Sequence, residues 1–110
     1  MTADRKKLSV LIPAGNEERH LADCIASVEW ADEVVVVVDV GSTDRAAEIA
    51  REKAHRVLIH PYENSAAQKN WAIPQMAHHW VLVVDADERV TPELRRDIET
   101  VLSSDRSEEH

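Results

Sequence analysis

The residues of this sequence best suited to chemistry are acids that close apolar runs. Asp39 ends one run, Asp85-Ala-Asp87-Glu88 follows another, and Glu17 and Glu18 lie just after a third. Carboxylates gathered in one crevice repel one another unless a cation or hydrogen-bond donors neutralise them. Hard oxygen ligands favour Mg2+ or Mn2+. Magnesium usually takes only one or two carboxylates and fills its shell with water and phosphate oxygens. A single Asp-x-Asp therefore suits a metal–diphosphate site better than an all-protein cage. Taken singly, each group has a plainer reading. Asp39 before Gly41 reads as a turn residue, Asp85 to Glu88 as turn acids, and Glu17 and Glu18 as complements to a helix dipole. Gln68-Lys69-Asn70 reads as solvated helix surface. Zinc is not expected, because His20, His55 and His60 are scattered and the adjacent His78 and His79 point in different directions.

The elements that must position these groups alternate regularly. Leu8 to Ile12 is a short apolar run stopped by Pro13 and Gly15, which predicts a buried strand. Asn16 is the expected cap of the next helix, on which Leu21, Cys24, Ile25 and Val28 share one face. Val34 to Val38 is β-branched throughout and has no polar alternation, so both its faces should be covered, as in a central parallel strand. Gly41-Ser-Thr-Asp44 reads as a turn and cap, followed by a helix to about Lys53 that buries Ala46, Ile49 and Ala50. Arg56 to His60 predicts a third strand. Ser65 to about Ala77 predicts a third helix that Pro74 should kink or end early. Trp80 to Val84 predicts a fourth strand, and Thr91-Pro92-Glu93 a helix start with an apolar stripe of Leu94, Ile98, Val101 and Leu102. This β-α-β-α-β-α-β-α order predicts a parallel α/β sheet with helices on both faces and right-handed crossovers. Ligands of such sheets bind beyond the carboxyl ends of the strands, where the acids fall.

Composition narrows the partners. A net charge of −8 over 110 residues repels phosphate backbones, so nucleic acid is not expected. For a diphosphate ligand the same acidity calls for a metal between the two. The single cysteine, Cys24, excludes an internal disulfide and fits a reducing cytosol. Its place on the apolar helix face predicts a core residue rather than a reactive thiol. No apolar run approaches transmembrane length, and Met1 to Lys7 lacks the apolar stretch of a signal peptide. One domain is expected over residues 1–110, with loose ends at 1–7 and 103–110.

At five separated blocks the sequence resembles the family 2 glycosyltransferases of the GT-A fold, most of all the branch with lipopolysaccharide core-type transferases. The blocks are Leu8-Ser-Val-Leu-Ile-Pro13 with Asn16-Glu-Glu18; Ser27-Val-Glu-Trp-Ala-Asp-Glu33; Val38-Asp39 with Gly41-Ser-Thr-Asp44; Gln68-Lys-Asn70; and Trp80 with Asp85-Ala-Asp-Glu88 and Thr91-Pro-Glu-Leu94. Together they span roughly residues 8–95, and their joint spacing is far more specific than any one block. The resemblance implies the donor-binding half of a GT-A enzyme and cell-envelope polysaccharide synthesis. It also implies a cytoplasmic place, including the inner face of the membrane. Pro13, Asn16 and Glu17 would line the base and ribose of a nucleotide-sugar donor. Asp39 would accept a hydrogen bond from a pyrimidine N–H. Lys69 would lie near the diphosphate, and Asp85 would hold the ribose or a metal-bound water. Asp87, with Asp85, would bind Mg2+ or Mn2+. The acceptor in the full-length family would be a glycan or lipid-linked.

The departures from the family carry expectations too. Five apolar residues, Val34 to Val38, stand where four are common, so a bulge or a shift is expected. Val40 replaces a usual serine, and glycines usual before the Trp80 strand and before Gln68 are absent. The family's general base lies beyond the Asp-x-Asp in a second half, and no residue here takes that role. Isolated, the chain is therefore expected to be incomplete for catalysis. A nucleotidyltransferase would want a Gly-rich, basic loop after strand one, which Pro13 to Glu17 is not. A receiver-type signalling module would want acids directly ending strand one and a lysine after its last strand. A non-catalytic binding or assembly fragment remains the other alternative. Finally, the resemblance implies a strand order with strand one between strands two and four, and either the last helix folds back through Leu94, Ile98 and Val101 to cover strand four or its edge is open. In the open case Trp80 to Val84 is an apolar edge without lysine or proline, open to homodimer pairing.

Overall fold

The computed structural model describes residues 5–103. In chain order the elements are β1 (Leu8–Ala14), α1 (Glu18–Ala26), β2 (Glu33–Asp39), α2 (Ala46–Lys53), β3 (Arg56–His60), α3 (Ser65–Ala72), a 3-10 turn (Ile73–Gln75), β4 (Trp80–Val83) and α4 (Pro92–Ser103). The four strands form one sheet in the order β3-β2-β1-β4, parallel at every pairing.

The unbroken valine run explains why β2 sits inside the sheet. Val34, Val36 and Val38 face a core shared with Leu8, Val10 and Ile12 of β1, Leu21 and Ile25 of α1, Ala46 and Ala50 of α2, and Leu102 of α4. Val35 and Val37 face the other side, where Leu11 and Ala72 join them and Trp71 of α3 packs on top. A strand covered on both faces has no use for polar alternation. Pro13 continues β1 opposite Val37, beyond the point where the paired register with β4 ends at Leu11 and Val83. Its missing N–H is tolerated because β4 is no longer paired there.

Several local expectations are corrected. No bulge absorbs the fifth apolar residue: the register runs unbroken from Ser9–Glu33 to Ala14–Val38. Asn16 does not cap α1. It sits at φ 51°, in the left-handed region that asparagine tolerates, and its side chain turns to Thr43. The helix after Ser65 stops at Ala72, short of Ala77, with Pro74 in the 3-10 turn that follows, the early end expected of that proline. The stripe of α4 is narrower than its spacing suggests: Leu102 is buried, whereas Leu94 and Val101 are exposed. Of the ends expected to be loose, residues 1–4 and 104–110 lie outside the described residues. Between those limits the Lys6 N–H donates to the Leu102 carbonyl at 2.9 Å, and Arg5 pairs with Asp32 at 3.1 Å.

At the edge opposite the strands' carboxyl ends, the buried Glu33 ties four segments together. Its Oε1 accepts from the Ser9 hydroxyl at 2.7 Å and the Ala77 N–H at 3.0 Å. Its Oε2 pairs with Arg56 at 3.2 Å, and Ser9 Oγ accepts from the His78 N–H.

Candidate nucleotide and metal cleft

Beyond the carboxyl ends of the strands lies a cleft of about 470 Å3. The residues that the resemblance implies for donor and metal binding open onto it: Pro13, Asn16 and Glu17 from the end of β1, Asp39 from β2, Lys69 from α3, and Asp85 and Asp87 from the loop after β4, whereas Glu18 and Glu88 do not. Tyr62, Ser65 and Gln68 also line it, and sequence reasoning gave them no role. Gln68 stood inside a recognisable block; Tyr62 and Ser65 had no signal beyond following β3.

Asp39 is held by its neighbours. Its Oδ1 accepts the Tyr62 N–H at 2.9 Å, so part of its work is that of a turn residue, as its plainer reading has it. A Cβ on Gly41 would lie 3.3 Å from the other carboxylate oxygen, so the glycine leaves that oxygen room. The wall beside it is built from Asn16 and the Gly-Ser-Thr-Asp turn. The Asn16 N–H donates to Ser42 Oγ at 3.1 Å, and Asn16 Oδ1 accepts from the Thr43 N–H at 3.0 Å.

Asp44 caps two helices at once. Its Oδ1 accepts the Ala46 N–H at 3.0 Å and its Oδ2 the Glu18 N–H at 2.9 Å, with the Ser42 hydroxyl donating at 3.0 Å. Burial pushes its carboxyl up, but the Ala46 and Glu18 amides and the Ser42 hydroxyl outweigh this and hold it below the usual carboxylate value. The cap that Asn16 does not supply to α1 thus comes from a residue 26 positions away.

The acidic loop is braced from within and from below. Glu88 Oε1 accepts the Asp85 N–H at 3.0 Å, and the Glu88 N–H donates to the Asp85 carbonyl at 2.9 Å. Glu88 is therefore a loop brace and does not line the cleft, unlike its two neighbouring acids. From α1, the Cys24 thiol donates to the Asp85 carbonyl at 3.5 Å, Ser27 Oγ accepts the Val90 N–H at 3.0 Å, and Asp23 pairs with Arg89 at 3.5 Å. Burial pushes the Cys24 thiol up to about 11, against the pull of Arg89 and with the help of Glu88, Asp87 and Asp85. It is a protonated core thiol at neutral pH.

Ala86 is buried, while Asp85 and Asp87 on either side of it are exposed. Among the described residues no hydrogen bond or ion pair engages either carboxylate. No group of three His, Cys, Asp or Glu side chains stands together as a metal cage among those residues. Two unengaged carboxylates without a third protein ligand are a donor set that fits Mg2+ or Mn2+ shared with phosphate oxygens and water. Lys69, half-buried on the cleft wall, has no acidic partner among the described residues.

Comparison with known proteins agrees with this architecture. The sequence model described as glycosyl transferase family 2 matches residues 9–106. An uncharacterized glycosyltransferase of Rickettsia typhi is 37% identical over 99 residues, covering 90% of this chain and 34% of the relative. The lipopolysaccharide core biosynthesis glycosyltransferase LpsC of Rhizobium meliloti is 35% identical over 102 residues, covering 88% of this chain and 37% of the relative. The chain thus spans about a third of the length of these curated relatives. Among solved structures, glucosyl-3-phosphoglycerate synthase of Mycobacterium tuberculosis in complex with UDP superposes with a TM-score of 0.63 at 25% identity, over 76% of this chain and 34% of that one. Another crystal structure of that synthase superposes with a TM-score of 0.65 at 24% identity, over 80% of this chain and 36% of that one.

Proposed function

The chain belongs to glycosyl transferase family 2, and on that premise we propose that its cleft binds the nucleoside diphosphate of a sugar donor through a divalent metal. The observation that carries the reading is the convergence of Asp39, Lys69, Asp85 and Asp87 on one cleft at the carboxyl ends of a parallel sheet. UDP in the synthase that shares the fold supports a nucleoside diphosphate as the ligand class. Asp87, with Asp85, would hold Mg2+ or Mn2+; when bound, the metal supplies Lewis-acid stabilisation of the negative charge on the departing diphosphate.

The chain's own groups divide the remaining work. Asp85 would also hold the ribose or a metal-bound water. Lys69 brings a positive charge to the diphosphate. Pro13, Asn16 and Glu17 form the wall for base and ribose. The Asp39 oxygen left free beside Gly41 accepts a base N–H. In the longer proteins of the family, the acceptor we assign is a glycan or lipid-linked hydroxyl at the cytoplasmic face of the membrane. Among the described residues no helix is long and apolar enough to cross a membrane.

The test is calorimetric titration of the chain with UDP, GDP, CDP and dTDP, each with and without Mn2+. Binding of at least one of them only when Mn2+ is present is expected. No binding of any of the four in Mn2+ would refute the donor-site reading.

A further inference from the structure

Gln68 is the most deeply buried polar side chain on the cleft: it is 4% exposed and lines the cavity beside Lys69. Among the described residues its amide makes no hydrogen bond. Among the described residues the sealed side-chain polar atom without a partner is His60 Nδ1, so the amide of Gln68 is not sealed. Its small exposed remainder opens onto the cleft. Burying an amide without partners is costly, and buried polar groups are nearly always satisfied. Local structure does not demand the residue. Position 68 is in the middle of α3, where leucine or methionine has about the same helix propensity. Its neighbours on that face are apolar, Ala72 and Trp71 among them.

We infer that Gln68 is a ligand-reading residue whose partner is supplied by the bound nucleoside, at a base edge or a ribose hydroxyl. This rests on the donor-site reading above. A neutral amide both donates and accepts, so it matches an uncharged group that does the same. The charged parts of the ligand already have charged counterparts in Lys69, Asp85 and Asp87. In the empty protein that amide is left to cleft water alone, and a bound nucleoside takes the place of the water, which makes Gln68 a specificity device.

The test uses Gln68→Leu and Gln68→Met in the full chain. Because each puts an apolar group of similar size on a nearly buried site where the amide has no protein partner, Tm should rise by about 2 °C or more, while UDP binding in Mn2+ should weaken about tenfold or more. A merely structural glutamine would move Tm the other way. Pyrophosphate binding in Mn2+ should stay unchanged, since Gln68 is assigned to the nucleoside. A loss that persists with 2′,3′-dideoxy-UDP assigns the contact to the base edge; one that vanishes assigns it to the ribose. Lower Tm in both variants, or UDP affinity within about twofold of wild type, overturns the inference. If the wild-type chain binds no UDP in Mn2+, the donor-site reading fails and this one falls with it. Wild-type binding with an unaffected variant removes only the role of Gln68.

Discussion

The carboxylates of the cleft differ in how they are held, and that difference sorts their roles. Glu88 and Asp44 commit oxygens to backbone amides, Asp39 commits one, and Asp85 and Asp87 commit none among the described residues. Asp85 and Asp87 are thus the carboxylates with every oxygen left for a metal among the described residues. Asp87→Ala should therefore weaken Mn2+-dependent UDP binding more than tenfold, about 1.4 kcal/mol or more, without lowering Tm. Equal UDP affinity in EDTA and in Mn2+ for the wild-type chain would contradict metal-mediated binding. Glu33 shows the opposite case at the far edge of the sheet. Burial pushes its carboxyl up, but the Ala77 N–H, the Ser9 hydroxyl, Arg56 and His78 outweigh burial and hold it below its ordinary value of 4.5. A carboxylate depressed in the folded state contributes stability above its unfolded value, and that stability is lost as pH falls through the folded value. Tm should thus be flat near neutral pH and fall below about 4.5. In Glu33→Gln the acid-dependent part of that fall should shrink, and an unchanged Tm–pH curve would count against the ion-pair account.

Elements here are coupled through their ends. α1 and α2 both begin at Asp44, and α1 also carries Cys24, which with the adjoining Ser27 supports the loop of Asp85 to Val90. A change at one helix start therefore reaches both walls of the cleft. Replacing an N-cap by alanine costs about 0.5–2 kcal/mol per helix, so Asp44→Ala should cost about 1–4 kcal/mol in urea unfolding and loosen Asn16 and Thr43 together. A loss of only a few tenths would mean that water replaces the cap at both helices. Asp44→Asn keeps an acceptor and should recover part of the loss.

For the molecule as a whole, β4 is an outer strand of the sheet, paired on one side with β1. By the alternation of parallel pairing, the Val84 N–H bonded to the Leu11 carbonyl places the Leu82 amide toward β1 and the Val81 and Val83 amides outward. Trp80 and Leu82 pack on one core and Val81 and Val83 on the other, so lysine at Leu82 would injure the core and not only the edge. We propose that two copies pair through this edge about a two-fold axis. Val81→Pro removes an outward amide that an edge strand can spare. Light scattering at micromolar concentration should show a dimer for the wild-type chain and a monomer for this variant. A wild-type monomer would end the proposal. The 110 residues by themselves should also bind donor without transferring sugar to an acceptor, because no general base is assigned among them. Metal-dependent transfer to a glycan by the isolated chain would overturn that expectation; slow donor hydrolysis to water would not.

Sequence alone determined the alternation of strand and helix, the strand bounds within a residue or two, and the acids that end the strands. The cause is local pattern: an all-apolar run must be covered on both faces, and the residues just after it in an α/β sheet lie at the binding edge. The same local pattern misplaced the cap of α1, since Asn16 precedes the helix while the true acceptor, Asp44, arrives across the crossover between β1 and β2. It widened the stripe of α4, whose Leu94 and Val101 have the right spacing but stay exposed. It grouped Glu88 with Asp85 and Asp87, because composition does not say which oxygens the backbone engages. It also leaves Gln68 open between a recognisable block and solvated helix surface. Only the tertiary structure, which lays α3 over β1 and β2 beside Leu11, Val35 and Val37, buries that amide and turns it toward the cleft.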